Sequence, residues 1–164
     1  MDGATRGGAM DGSGARGPEA EGAADRPLAG RYRLGAVLGA GGTGTVWQAR
    51  DEELGRDVAV KEVRVPAGLE AAERERLYAR VEREALAAAR SGHRGVVTVY
   101  DVVVADGRPW IVMELVRGLS LADALMGDGP LPPARAARVG LAVLEALGAA
   151  HAVGVVHRDV TPAN

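Results

Sequence analysis

The order of the secondary-structure segments is the feature that most restricts the fold of this chain. Three strand-like stretches come first, in "RYRLGAVLGAGGTGTVWQAR" and "RDVAVKEVRV", with the β-branched residues and glycine turns typical of strands. A long run of helix-forming residues follows, "GLEAAERERLYARVEREALAAAR", which Ser91-Gly92 ends. Two further strands in "GVVTVYDVVVADGRPWIVMELV" are joined by the hairpin signal "ADGRP". This order predicts an α+β fold with a five-stranded antiparallel sheet and one long helix, not a doubly wound parallel sheet.

Two more helices are predicted after the sheet. "SLADALM" begins after Ser120, a favourable N-cap residue. "LPPARAARVGLAVLEALGAAHAVG" begins at Pro132 or Pro133. Because this second helix is apolar around much of its circumference, we expect it to require burial on most sides. The chain itself offers it few partners, which predicts poor solubility.

Three regions follow from the composition along the chain. Residues 1–27 are rich in Gly, Ala and charge and contain almost no large apolar side chain, which predicts a disordered tail. Residues 28–116 hold the predicted sheet and its long helix. Residues 117–164 hold the start of a helical unit.

The composition also excludes several classes of function. A net charge of −2 gives no indication of a nucleic-acid or membrane-surface binder. The chain has no cysteine, so disulfides, thiolate metal sites and a cysteine nucleophile are excluded. No apolar run reaches the ~20 residues that span a bilayer, and the N-terminus has no signal-type segment. We therefore expect a cytoplasmic chain, with a membrane anchor beyond residue 164 left open.

A glycine-rich segment, "GAGGTGTV", contains G-x-G-x-x-G as Gly39, Gly41 and Gly44. This pattern alone is weak, and an ordinary hairpin turn also explains it. A dinucleotide-binding fold would require a helix after the third glycine, whereas "TVWQAR" reads as a strand. A glycine loop between two strands can instead lie over phosphates, because backbone N–H groups approach without a Cβ. Val46 would then pack on a base.

Lys61 and Glu84 form the next candidate pair. Lys61 ends the apolar run "VAVK", where a solvated strand end is the simplest interpretation. Glu84, however, falls on the helical stripe formed by Leu77, Val81 and Ala88. A carboxylate on an inward stripe requires a partner, and Lys61 is the obvious one. Glu73 lies near the same stripe and remains an alternative.

With "HRDVTPAN", His157 to Asn164, the chain resembles the N-terminal part of a eukaryotic-type protein kinase. The matching segments are "GAGGTGTV", "VAVK", Glu84, "IVMELV" and "HRDVTPAN", in the family's order. The resemblance covers roughly residues 30–164 and is strongest to bacterial serine/threonine kinases of high-GC organisms. It implies a kinase fold with a complete N-lobe and the first part of a helical C-lobe.

The resemblance also implies the cofactors ATP and Mg²⁺ and a role for individual residues. Asp159 would orient the substrate hydroxyl and accept its proton, Lys61 would contact the α- and β-phosphates, and Glu84 would hold Lys61. Asn164 would hold Mg²⁺, Arg158 would bind an activation-loop phosphate, and His157 would be structural. Met113 would be the gatekeeper, and Glu114 to Val116 the hinge. The implied nucleotide-binding set is Gly39, Ala40, Gly41, Gly42, Thr43, Gly44, Val46, Ala59, Lys61, Met113, Glu114 and Val116.

Two departures from the family pattern matter. Thr161 stands where serine/threonine kinases usually carry a lysine, and losing one charge-assisted contact of about 1.5–3 kcal/mol lowers a rate roughly 10- to 150-fold. The sequence also stops at Asn164, before an Asp-Phe-Gly segment, and contains no Phe. We therefore expect a truncated kinase domain that is inactive alone.

Three functions remain open at this point. The first is a piece of a kinase that transfers the γ-phosphate of ATP to Ser/Thr of protein substrates. The second is a non-catalytic, pseudokinase-like nucleotide-binding or regulatory module. The third, a small-molecule phosphotransferase, is disfavoured because such enzymes usually lack an arginine at the position of Arg158. Pairing of two copies through the N-lobe is a further expectation from related bacterial kinases.

Overall fold

The structure, a computed structural model, describes residues 27–41, 44–66, 68–90 and 92–163. The tail predicted over residues 1–27 therefore lies outside the described residues, except for Pro27. Within the described part the predicted order of elements is confirmed. The strands are β1 (Tyr32–Gly41), β2 (Gly44–Asp51), β3 (Arg56–Glu62), β4 (Val99–Ala105) and β5 (Arg108–Glu114), and the helices are α1 (Ala71–Ala88), α2 (Leu121–Asp128) and α3 (Pro133–Ala152).

The five strands form one antiparallel sheet in the order β1-β2-β3-β5-β4. The predicted "ADGRP" hairpin joins β4 and β5, and its two turn residues, Asp106 and Gly107, have φ of 50° and 69°. Positive φ at both positions matches the two-residue turns whose twist suits antiparallel strands. The α+β architecture with a five-stranded antiparallel sheet, predicted from the sequence, is confirmed.

One face of the sheet forms the hydrophobic core. Val58, Val60 and Val112 are fully buried, and Tyr32 is 1% exposed. Leu28 and Ala49 complete the cluster. Helix α1 packs against β4 and β5. The central strand β3 thus has sheet neighbours on both edges, which fixes the position of every side chain along it.

A buried carboxylate, that of Asp51, stabilises the start of the sheet through hydrogen bonds. Asp51 is fully buried and accepts hydrogen bonds from Nε and Nη2 of Arg31, both at 2.8 Å, and from the Leu54 N–H at 3.2 Å. The bonds to Arg31 hold the pKa of Asp51 well below its usual range. Beside it, the Tyr32 hydroxyl donates to Asp101 at 2.9 Å. Burial and this bond raise the pKa of Tyr32 to about 12.

Helix α1 begins later than the helix-forming run suggests. Glu70 is its N-cap, and the side chain of Glu73 accepts a hydrogen bond from the Glu70 N–H at 3.3 Å in a capping box. Glu73 is therefore used at the helix start. The helix ends at Ala88, and the predicted end signal includes Ser91, which lies outside the described residues.

The last two helices begin as predicted. Ser120 accepts from the Asp123 N–H at 3.1 Å at the start of α2, and Pro132 is the N-cap of α3. On α3, Leu141 is 61% and Leu144 is 66% exposed, so the apolar circumference noted in the sequence is largely uncovered by the described residues. No described helix is both long and apolar enough to cross a membrane.

Candidate functional site

The register of the sheet gathers four predicted residues on one face. Lys61 lies opposite Val46 of β2 and Ile111 of β5, while Ala59 lies opposite Met113 of β5. Directly opposed residues share a face, and neighbours along a strand alternate. Val46, Ala59, Lys61 and Met113 therefore line the face opposite the buried valines. This face combines apolar side chains with a single ammonium group.

The ammonium of Lys61 has no acidic partner in the described part of the chain, where no ion pair involves it. Lys61 as a whole is half-buried. Lys61 is also the only lysine in the sequence, since the other 19 of the 20 basic residues are arginine. A half-buried cation without a counter-ion suits an anionic ligand.

The glycine hairpin holds two kinds of glycine. Gly44 has φ of 137°, and a Cβ there would overlap the Glu62 carbonyl oxygen and lie 3.0 Å from its carbonyl carbon. By contrast, a Cβ on Gly39 or Gly41 would meet no atom of the described residues within 4 Å. Gly44 is therefore required by the packing of the hairpin on β3, and the other two leave open space. Ala40 pairs with Thr45 beside them, whereas Gly42 and Thr43 lie outside the described residues.

The predicted pairing of Lys61 with Glu84 is not formed in this structure. The Glu84 side chain is 45% exposed, so the expectation of a buried carboxylate was wrong. Its Oε1 accepts from Arg80 Nε at 2.9 Å and lies 3.7 Å from Arg158 Nη2. Arg80 is one turn away on the same helix, a spacing that the sequence displays and that favours such pairs. The contact with Arg158 could not be read from the sequence.

The segment that follows β5 is held by polar contacts. The Glu114 N–H donates to the Thr98 carbonyl at 2.8 Å. Arg117 Nη2 lies 2.6 Å from Asp57 Oδ2 at the start of β3. The guanidinium of Arg50, and then that of Arg117, lower the pKa of Asp57. Val116, between these anchors, is 67% exposed.

The terminal loop is anchored to α2. The Pro162 carbonyl accepts the Ala122 N–H in the first turn of that helix at 2.8 Å. Asp159 is exposed, and its N–H donates to His157 Nδ1 at 3.4 Å. Arg158 has φ of 65°, so the chain turns sharply before the aspartate. Asn164 lies outside the described residues, and those residues contain no cluster of three or more His, Asp or Glu side chains that could hold a metal ion.

Comparison with known proteins shows the family. The family described as the protein kinase domain matches residues 32–164. The chain belongs to the protein kinase family, as the sequence motifs indicate.

Individual relatives agree with this membership. The chain is 43% identical over 141 residues to a serine/threonine-protein kinase, PknB, of Mycobacterium leprae, covering 84% of this chain and 22% of the relative. It is equally similar to a probable kinase of the same name from Corynebacterium glutamicum, of which it covers 21%. The PknI kinase domain of Mycobacterium tuberculosis superposes with a TM-score of 0.71 at 33% identity, covering 87% of this chain and 57% of that one. The chain thus spans about a fifth of the length of these curated relatives.

Proposed function

We propose that this chain supplies the ATP-binding face of a serine/threonine protein kinase. The observation that carries the proposal is the position of Lys61. It is a half-buried ammonium without a carboxylate partner among the described residues, on the same sheet face as Val46, Ala59 and Met113. The phosphates of ATP would supply the missing counter-charge. The apolar side chains would cover adenine.

Each predicted residue has a role in this proposal. The open backbone at Gly39 and Gly41 would lie over the phosphates, with Ala40, Gly42, Thr43 and Gly44 completing the hairpin. Residues 28–116 would form the nucleotide-binding lobe, and the backbone from Glu114 to Val116 would hydrogen-bond the adenine edge. Residues 117–164 would begin the second lobe. The ion pair between Arg117 and Asp57 would keep the two lobes' junction close to β3.

Phosphoryl transfer depends mainly on positioning and charge neutralisation. Asp159 would orient the hydroxyl of a substrate Ser or Thr and accept its proton. An amide oxygen is a suitable ligand for Mg²⁺, so Asn164 fits a magnesium-nucleotide in its chemistry. When bound, the ion would neutralise phosphate charge. Thr161 adds no positive charge to this loop, which would reduce the rate.

Glu84 would have to exchange partners to act as the family pattern implies. It is held by Arg80 and lies near Arg158. Release of the hydrogen bond from Arg80, with Arg158 drawn away by a phosphate group, would free the carboxylate for Lys61. Glu84→Gln should then slow transfer with little loss of stability. A matching loss in Glu73→Gln instead would show that the wrong glutamate was assigned.

The nucleotide site can be tested by amine labelling, because Lys61 Nζ and the N-terminal amine are the only amines of the chain. An adenosine probe with an amine-reactive acyl phosphate should modify Lys61, and ATP with Mg²⁺ should protect it. The N-terminal amine in the same sample is the control and should be unprotected. Lys61→Met should remove the protected label, whereas Arg64→Met should retain it. Equal labelling of both amines, unaffected by ATP, would refute the site.

Transfer to proteins requires a second measurement. Incorporation of labelled phosphate from ATP into a casein substrate, lost in Asp159→Asn, would support the kinase reaction. Nucleotide protection without transfer by the complete gene product would favour the non-catalytic alternative. We also propose that the substrates are proteins and that this part of the protein lies in the cytoplasm. We further propose that two copies pair through the N-lobe, and analytical ultracentrifugation would detect such a dimer.

A further inference from the structure

The carboxylate of Asp57 lies on the same sheet face as Lys61. Asp57 precedes Ala59 and Lys61 along β3 at intervals of two residues, and residues at this spacing lie on one face of a strand. It is next to Val58, which lies opposite Glu114, the last residue of β5. The Asp57 side chain, which is 32% exposed, therefore occupies the end of the proposed nucleotide face where the chain leaves the sheet.

Each oxygen of this carboxylate holds a different arginine. Oδ1 accepts a hydrogen bond from Arg50 Nη1 at 2.9 Å, and Oδ2 accepts one from Arg117 Nη2 at 2.6 Å. Arg50 lies directly opposite Asp57 in the pairing of β2 with β3, so this bond stays within the sheet. Arg117 lies 60 residues after Asp57, in the segment between β5 and α2. Of the two bonds, the second alone connects the sheet to the chain that follows it.

The segment from Glu114 to Arg117 is thereby held at both ends. At its start, the Glu114 N–H donates to the Thr98 carbonyl at 2.8 Å, and Glu114 Oε2 accepts from the Thr98 N–H at 3.3 Å. At its end, the ion pair with Asp57 is the anchor. Gly118 follows with φ of 132°, a conformation that glycine adopts readily, so the chain changes direction directly after Arg117. The backbone between the two anchors is the one proposed above to hydrogen-bond adenine.

The ion pair between Arg117 and Asp57 suits positioning better than support of the fold. The Arg117 side chain is 72% exposed, and ion pairs between exposed side chains contribute little to stability because water and salt screen them. A short charge-assisted hydrogen bond still restricts the geometry of the backbone to which it is attached. A backbone that is already ordered loses less freedom when it binds a ligand, and the ligand then binds more tightly.

We propose that Arg117 is a positioning residue for nucleotide binding, which through Asp57 holds the backbone of residues 114–116 at the adenine edge. The inference rests on the proposed nucleotide site and assigns to that site a residue that acts through another. Arg50, which binds the same carboxylate from within the sheet, has no such role.

The test uses adenosine, because an uncharged ligand makes no ion pair of its own with the protein. Adenosine competes with the adenosine acyl phosphate probe, and the adenosine concentration that halves labelling of Lys61 in the full chain is measured. At about 0.1 M salt, Arg117→Met should raise this concentration about two- to fivefold, the effect of one exposed ion pair. Arg50→Met is the matched control, because it removes the other arginine from the same carboxylate and keeps the hinge anchor. It should leave the concentration unchanged.

Salt and a double variant separate positioning from general destabilisation. Raising the salt to about 1 M shortens the Debye length from ~10 Å to ~3 Å. It should weaken adenosine competition in the wild-type chain and in Arg50→Met, but not in Arg117→Met. Asp57→Asn should resemble Arg117→Met, and combining the two should cause no further loss. Thermal unfolding should give Arg117→Met and Arg50→Met a wild-type Tm, and Arg117→Gln replaces Arg117→Met if its Tm falls.

The outcomes distinguish this inference from the nucleotide site on which it rests. Protection of Lys61 by ATP, together with equal adenosine competition in the wild-type chain and Arg117→Met, would overturn the positioning role and leave the nucleotide site intact. Additive losses in the double variant, or salt dependence that persists in Arg117→Met, would overturn it as well. If neither ATP nor adenosine protects Lys61, the nucleotide site and the positioning role fail together.

Discussion

The two kinds of glycine in the β1–β2 hairpin give a sharp prediction. Gly44→Ala places a Cβ against the Glu62 backbone at a φ of 137°, whereas Gly39→Ala adds a methyl group to open space at an ordinary φ. The same added methyl group should therefore have different consequences at these two positions of the motif. At position 44 it should destabilise the fold, and at position 39 it should affect ligand binding alone.

The magnitude follows from the two costs at position 44. A non-glycine residue in a sparsely populated backbone region costs about 1–3 kcal/mol, and forcing an added carbon into a packed site costs a further 1–3 kcal/mol or so. We expect a loss of about 4 kcal/mol, or on the order of 8–16 °C in Tm for a chain of this size. Gly39→Ala should leave Tm unchanged or raise it slightly, since alanine restricts the unfolded chain by about 0.4–1 kcal/mol.

The assay is thermal unfolding followed by tryptophan fluorescence. Trp47 lies three residues after Gly44 and pairs with Val60 of β3, so it reports directly on this part of the sheet. Labelling of Lys61 by the adenosine probe, measured in parallel, should fall in Gly39→Ala despite its unchanged Tm. Similar Tm losses in both variants, or a wild-type Tm in Gly44→Ala, would refute the assignment of separate roles.

Two further predictions concern stability. Asp51→Asn should lower the free energy of unfolding by about 2–3 kcal/mol at pH 7, because the paired bonds from Arg31 to a buried carboxylate are lost. The pKa of Asp51 is depressed in the folded state. The stability difference should therefore be present above the unfolded pKa of about 4 and shrink as the pH falls below it. Urea titrations at pH 7 and pH 3 measure it, with the more exposed Asp57→Asn as the smaller control, and a pH-independent difference would contradict the linkage. Ser120→Ala should cost about 1 kcal/mol through loss of the α2 cap, detected as a lower urea midpoint, and an unchanged midpoint would show that this helix end is held by other contacts.

The sequence predicted the elements whose signals are local. The Asp-Gly turn between β4 and β5, the cap at Ser120 and the β-branched run of β3 each depend on a few adjacent residues. For this reason the antiparallel sheet could be predicted from the sequence. The grouping of Val46, Ala59 and Lys61 was implied by the family resemblance, and the sheet register then places them on one face.

What the sequence missed depends on residues brought together from distant positions. "RDEELGRD" around Asp51 reads as a polar turn, and its burial depends on Arg31, 20 residues earlier. Periodicity placed Glu84 on a face of α1 but could not decide which of several cations reaches it, and the cation found nearby from another element belongs to the terminal loop.

Because Lys61 is the only lysine, cleavage of the chain at this residue can be used to measure unfolding of the sheet. A lysine-specific protease has one peptide bond to cut, after Lys61, in a strand hydrogen-bonded on both edges to β2 and β5. Proteases require an extended, accessible segment, and a central strand becomes accessible only when the sheet opens. The appearance of two pieces, residues 1–61 and 62–164, would then measure the population of the opened sheet.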